Sequence, residues 1–157
     1  MSFPAIPART IALGDPYQSQ CPETARLLAA RLGLPDAGYR VTFQSRFGRA
    51  KWLEPYTEPT LRELGASGVK RVDVVCPGFT SDCLEALEES SQEAREAFMH
   101  AGGEQFEFIA CVNDSAPWIT ALSRIAQQHM QGWPTQKAPQ AELDASLGRA
   151  KAVGAQR

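Results

Sequence analysis

A chain of 157 residues, 43% hydrophobic and 22% charged, is long enough for one domain with a core and too short for two ordinary ones. A formal net charge of −2 with no clustered basic face gives no footing for nucleic acid. No apolar run approaches the roughly 20 residues of a membrane span, and the first ten residues lack the apolar core of a secretory signal, so a cytoplasmic location is expected.

Residues 1–3 read as a stub of strand that Pro4 interrupts, because proline brings no N–H to a ladder. A loop follows over 5–16, broken by Pro7, Gly14 and Pro16. Apolar spacing predicts a helix to residue 32, with Cys21, Ala25, Leu28, Ala29 and Leu32 on one face and Gly33 as its stop. Residues 39–43 alternate as a second strand and empty into a long loop, 44–56, that carries Arg46, Arg49, Lys51 and Trp52. Thr57 is expected to cap the next helix, with Glu58 and Pro59 in its first turn and Gly65 and Gly68 closing it.

The third strand, 69–76, holds the most strand-like run of the chain, Val-Asp-Val-Val-Cys. A helix then carries Leu84, Leu87, Ser91, Ala94, Phe98 and Ala101 on an apolar face, and Gly102-Gly103 ends it. Residues 106–112 form the fourth strand. A last helix, 117–130, turns Ile119, Leu122, Ile125 and Ala126 inward. The tail, 131–157, is expected to be poorly ordered apart from a marginal helix over 141–152. The domain is therefore placed at 1–130. Strand alternating four times with helix implies an α/β fold, a doubly wound, four-stranded parallel sheet between two helical layers.

Glu85, Glu89 and Glu93 recur every fourth residue of one helix. Like charges at that spacing repel by roughly 0.2–0.5 kcal/mol per pair. No Lys or Arg lies three or four residues from any of them, and Arg95 has Ser91 and Gln92 as its neighbours at that spacing. The row reads either as a solvated acidic face or as a ladder for cations or protons. It lies beyond the carboxyl end of a parallel strand, where ligands bind in such sheets, and both readings stay open on the residues alone. The same edge gathers Pro4 and its loop, residues 44–52, 77–85 and 113–115. No phosphate-binding glycine loop follows any strand, so a nucleotide site is unsupported. A basic loop beside the Trp52 indole suits a flat apolar ligand bearing carboxylates; plain surface charge and partial core are the alternatives. Cys21, Cys76, Cys83 and Cys111 form no close pair, so neither a zinc site nor an iron–sulfur cluster is expected. Cys76 and Cys111 lie in apolar runs and read as small buried side chains, and Cys83, beside the row, stays a site candidate.

Three stretches, GDPY (14–17), TFQSRFGRAKWLEPYTE (42–58) and CPGFTSDCLEALEE (76–89), resemble ferrochelatase of the Gram-negative bacterial type, in order and in spacing. The resemblance runs over about residues 2–125 and covers only the second of that family's two similar halves. It implies a haem-biosynthesis lyase that inserts Fe(II) into protoporphyrin IX clamped between the halves, with porphyrin and ferrous iron as partners. It puts the active-site glutamate on Glu85 and the acidic path on Glu89 and Glu93, in a helix that the family widens to π form. Trp52 falls on a tryptophan near the porphyrin, Arg46 on a neighbouring position, and Asp82 and Cys83 on positions near the site. The family's histidine, in a motif like S-F-H-G-I-P, falls on Pro4, since the run here is Ser2-Phe3-Pro4-Ala5-Ile6-Pro7.

An imidazole ligates metal or accepts a pyrrole proton near neutral pH, and a proline ring does neither. The chain alone is therefore expected to be inactive. The alternatives are a non-catalytic metal- or porphyrin-binding module, and a subunit that self-associates or pairs with a separate first half.

Overall fold

In the computed structural model, residues 1–156 are described, save the side chains of Glu85, Glu89 and Ser90. They divide into two units, Met1–Ser115 and Ala116–Arg157. The first runs β1 (Ser2–Pro4), α1 (Ala8–Ala12), α2 (Tyr17–Leu32), β2 (Thr42–Gln44), α3 (Thr57–Ala66), β3 (Arg71–Val75), a π-helix (Glu85–Glu93), α4 (Ala94–His100) and β4 (Gln105–Ile109). The second holds α5 (Ala116–His129) and α6 (Gln140–Ala152). No helix among the described residues is long and apolar enough to cross a membrane.

The α/β class and the parallel strands are as the sequence predicts, but the sheet is assembled as two pairs. β1 pairs with β2 in the register Phe3↔Phe43, and β3 pairs with β4 in the register Asp73↔Glu107. Among the described residues no ladder joins β1 to β3. β2, β3 and β4 are each shorter than their apolar runs. β1 and β2 have three residues each, and the predicted continuation of β4 to residue 112 is irregular. A strand lasts only as long as a neighbour satisfies its backbone groups.

Each strand pair has its own core. Phe3, Ala5, Cys21, Ala25, Phe43 and Leu53 are buried together beneath α2. Cys21, Ala25 and Ala29 line its inner face as predicted, whereas Leu32 at the end of the helix is exposed. Leu61, Val74, Ala94, Phe98 and Phe106 form the second core, between β3–β4 and the α3–α4 pair. Gly65 does not end α3 but lies inside it, where a Cβ would stand 2.8 Å from the Phe98 carbonyl oxygen and 2.9 Å from the Ala101 Cβ. The glycine there lets α3 and α4 approach closely.

Two further expectations change. Thr57 is the first residue of α3 rather than its cap, and Tyr56 is the N-cap without a side-chain bond. The Thr57 hydroxyl turns inward instead, 2.7 Å from Ser2 Oγ and 3.0 Å from Thr42 Oγ1, and Ser2 in turn donates to Gln44 Oε1. This buried network ties α3 to both short strands. On the helix after β3, Leu84 and Leu87 are 72% and 52% exposed while Ala86 is fully buried. A π-helix closes i→i+5 bonds in place of i→i+4, so its wider turn rotates the inward face away from the positions a 3.6-residue period assigns. In the second unit, α5 and α6 have no buried residue, so the inward stripe expected of Ile119, Leu122 and Ile125 is not formed as a core.

Candidate functional site

Four segments meet beyond the carboxyl ends of the strands. Pro4 closes β1, and its carbonyl accepts a hydrogen bond of 2.8 Å from the Tyr17 hydroxyl. Burial and the neighbouring Cys21 push the Tyr17 phenol well above its ordinary value, so it stays a donor across the physiological range. Tyr17→Phe should cost about 1 kcal/mol of unfolding free energy, read from urea denaturation, because one partly buried bond is lost with little change in shape.

The long loop after β2 does not hang free. Ala5 N–H donates to Gln44 O at 2.7 Å, Ala8 N–H to Lys51 O at 2.8 Å and Leu53 N–H to Ile6 O at 3.1 Å, so residues 44–53 are zippered onto the segment that follows β1. An antiparallel bridge, Pro7↔Trp52, continues the zipper. Trp52 is half-buried against the first core, donates its indole N–H to Phe47 O at 2.9 Å and meets the Phe47 ring edge-on at 6.2 Å. The indole thus combines partial core with a fixed orientation. Arg46 stacks its guanidinium 4.3 Å over the Tyr56 ring.

Glu85, Glu89 and Glu93 all fall in the π-helix, which starts at Glu85 and ends at Glu93. Residues spaced by four come closer to a whole turn there than on an α-helix, where each step overshoots by about 40°. The side chains of Glu85 and Glu89 lie outside the described residues. Glu93 is exposed, and with Arg46, Gln44, Ser45 and Tyr56 it lines a cavity of about 210 Å³. The structure thus brings the last carboxylate of the row and the first base of the loop to one cavity. Arg95 is turned away from it, donating to Phe106 O at 2.9 Å with its guanidinium 5.4 Å from the Phe106 ring.

Asp82 and Asn113 form a clamp that single-residue reading missed. The Asp82 carboxylate accepts from Asn113 Nδ2 at 2.8 Å and from Cys111 N–H at 3.0 Å, while Asn113 Oδ1 accepts from Asp82 N–H at 2.8 Å. The clamp fastens the turn before the π-helix to the end of β4. The pairing of an aspartate and an asparagine after two successive strands is the signal that could have found it. These donors, the Asn113 amide first, hold the Asp82 carboxyl below the usual carboxylate range. A depressed folded-state value contributes stability above the unfolded-state pKa, near 3.9, and loses it as pH falls through the folded-state value. Asp82→Ala should therefore lower the urea midpoint at neutral pH, and the gap to the parent chain should close as pH falls through the lowered folded-state value. Cys76 is buried as expected, whereas Cys111 is half-buried, its thiol pushed up to about 12 by burial and by Asp82.

One family model matches the chain, over residues 1–130, and its description is Ferrochelatase. The chain is 62% identical over 157 residues to the ferrochelatase of Methylibium petroleiphilum, an alignment covering 99% of the chain and 43% of the relative. It is 58% identical to that of a Polaromonas species, covering all of the chain and 43% of the relative. Identity to the ferrochelatase of Herminiimonas arsenicoxydans is 56%, over 99% of the chain and 44% of the relative. The chain thus spans less than half the length of the curated relatives it matches.

Proposed function

Because the chain belongs to the ferrochelatase family, we propose that it supplies the carboxylate side of a porphyrin-metallation site, and that the site works only when the rest of the family fold is present. The observation that carries this reading is the π-helix over Glu85–Glu93, which puts the three glutamates of the row on one widened helical segment at the sheet's carboxyl edge.

The chemistry suits these residues. Fe(II) is taken by carboxylate oxygen, which holds it weakly enough to surrender it to four pyrrole nitrogens. As the metal enters, the macrocycle loses two protons. Glu85 is the residue assigned to the reacting centre, and Glu89 and Glu93 carry protons or metal along the helix. Trp52 offers an indole to the macrocycle face, and Arg46, above Tyr56, offers a cation to a propionate. Protoporphyrin is favoured over coproporphyrin by the likeness to Gram-negative members.

Pro4 and the coverage of 43% of the relatives favour a second reading, in which the chain binds metal or porphyrin without turning it over. The two separate on one experiment. The chain mixed with the complementary portion of a full-length relative should metallate protoporphyrin with Zn(II), followed by absorbance, and Glu85→Gln should lower kcat by about 100-fold or more. Binding of porphyrin without turnover in the mixture would select the second reading.

A further inference from the structure

The Asp82–Asn113 clamp brings two half-buried thiols, Cys83 and Cys111, to one place. A turn closed by Phe79 N–H on Cys76 O at 3.1 Å follows β3. The segment after it runs beside the end of β4. Asn113 N–H donates to Thr80 O at 2.9 Å, and Cys111 N–H donates to the Asp82 carboxylate at 3.0 Å. Thr80 is thus opposite Asn113 and Asp82 opposite Cys111, so the two segments run in opposite directions. Cys83 is the next residue after Asp82.

A disulfide needs Cα atoms about 4.4–6.8 Å apart. Residues opposite one another on paired antiparallel segments stand about 4.5–5.5 Å apart, and Cys83 is a single step from the residue that holds that place opposite Cys111. Cys76 also lies near. Burial and the Asp82 carboxylate, with the Cys76 and Cys83 thiols adding to them, push the Cys111 thiol up to about 12. Cys76 is only 3% exposed, and its thiol donates to Gln44 Oε1 at 3.5 Å, so a solute reaches Cys83 and Cys111 first.

We propose that Cys83 and Cys111 are a modification site, closing a reversible disulfide when a hydroperoxide oxidises them. Cys83 O accepts from Leu87 N–H at 3.0 Å, so Cys83 stands at the first helical turn, just ahead of Glu85. The bond therefore ties the start of the π-helix covalently to the end of β4, where the clamp now holds it by hydrogen bonds alone. In a reducing compartment thiol exchange restores both side chains, which makes the bond a switch and not a permanent staple.

Cys83 reacts first, because the Cys111 thiol stays protonated. Its sulfur attacks one peroxide oxygen, the O–O bond breaks, and Cys83 becomes a sulfenic acid as water or an alcohol leaves. Cys111 Sγ then attacks the Cys83 sulfur. The S–S bond forms as the S–O bond breaks, and the departing hydroxide takes the Cys111 proton away as water. The pair of thiols is oxidised and the hydroperoxide reduced. Neither porphyrin nor metal takes part.

The test is to treat the full chain with hydrogen peroxide at low protein concentration and block the remaining thiols with iodoacetamide under denaturing conditions. Mass spectrometry then maps linked peptides before and after dithiothreitol. A Cys83–Cys111 pair that dithiothreitol separates is expected. The oxidised chain should melt about 5–10 °C higher, because the link closes a loop of roughly 30 residues in the unfolded chain. Hydrogen exchange at Leu87, whose N–H is bonded to Cys83 O, should slow at least about tenfold. Cys111→Ser should leave a sulfenic acid at Cys83 that dimedone traps, whereas Cys83→Ser should leave none at Cys111. A Cys76–Cys111 link, a link between two copies, oxidation with no link, or a link that leaves Leu87 exchange unchanged would each overturn the assignment. The peptide map and exchange of the parent chain decide the matter even if a serine variant does not fold.

Discussion

Pro4→His in the chain alone should leave metal insertion at the uncatalysed rate, whereas in the chain supplied with the complementary portion of a relative it should raise turnover by about 10²–10⁴-fold. That range is what a positioned imidazole gains as a general base with a pKa near the working pH. The position is well prepared for it. Pro4 stands at the carboxyl end of β1, its carbonyl held by Tyr17 and its ring against Gly78. Replacing the ring by an open side chain keeps that carbonyl as an acceptor. What the substitution cannot supply is the opposite wall of the cleft, which in the resemblance lies in the other half. A base without a bound, oriented macrocycle has nothing to deprotonate, so the two changes should act together and not separately. Activity in Pro4→His without the complement would place the whole site within this chain.

Phe98→Ala should destabilise the chain by about 3–5 kcal/mol and lower Tm by roughly 10 °C or more. Phe98 is fully buried, packs with Leu61, Val74, Ala94 and Phe106, and lies with its ring centroid 6.5 Å from that of Phe106. It sits on α4, which continues the π-helix directly, so its packing also anchors the glutamate row to β3 and β4. Leu84→Ala, by contrast, should move stability by no more than about 0.5 kcal/mol, because that side chain is 72% exposed. Comparing the urea midpoints of the two variants checks the phase of the helix. Equal losses would mean that Leu84 faces the core, as a uniform α-helix would have it.

That phase marks the limit of what could be read from residues alone. The apolar spacing of α2 carried its length and its inner face, Cys21, Ala25 and Ala29, because an α-helix repeats a single period over sixteen residues. The helix after β3 changes period partway, and a pattern of apolar and polar residues does not record the change. A uniform 3.6-residue period therefore turns Leu84 and Leu87 inward and leaves out Ala86, the residue that is buried. The parallel direction of the strands is legible, while the length of β2 is not, since it stops where its ladder stops. The identity of the candidate site came from motifs around Glu85, Trp52 and Arg46. The supports of that site, Tyr17 on Pro4, the zipper over residues 44–53 and the Asp82–Asn113 clamp, join residues far apart in the chain and became visible only once folded.

The most direct measurement is Zn(II) insertion into protoporphyrin by the purified chain alone, followed by absorbance beside a full-length relative at equal concentration. Turnover no faster than the protein-free blank is expected from the chain, with turnover appearing when the complementary portion is added. Turnover by the chain alone at a rate comparable with the full-length relative would contradict the proposal that it carries only one side of the site.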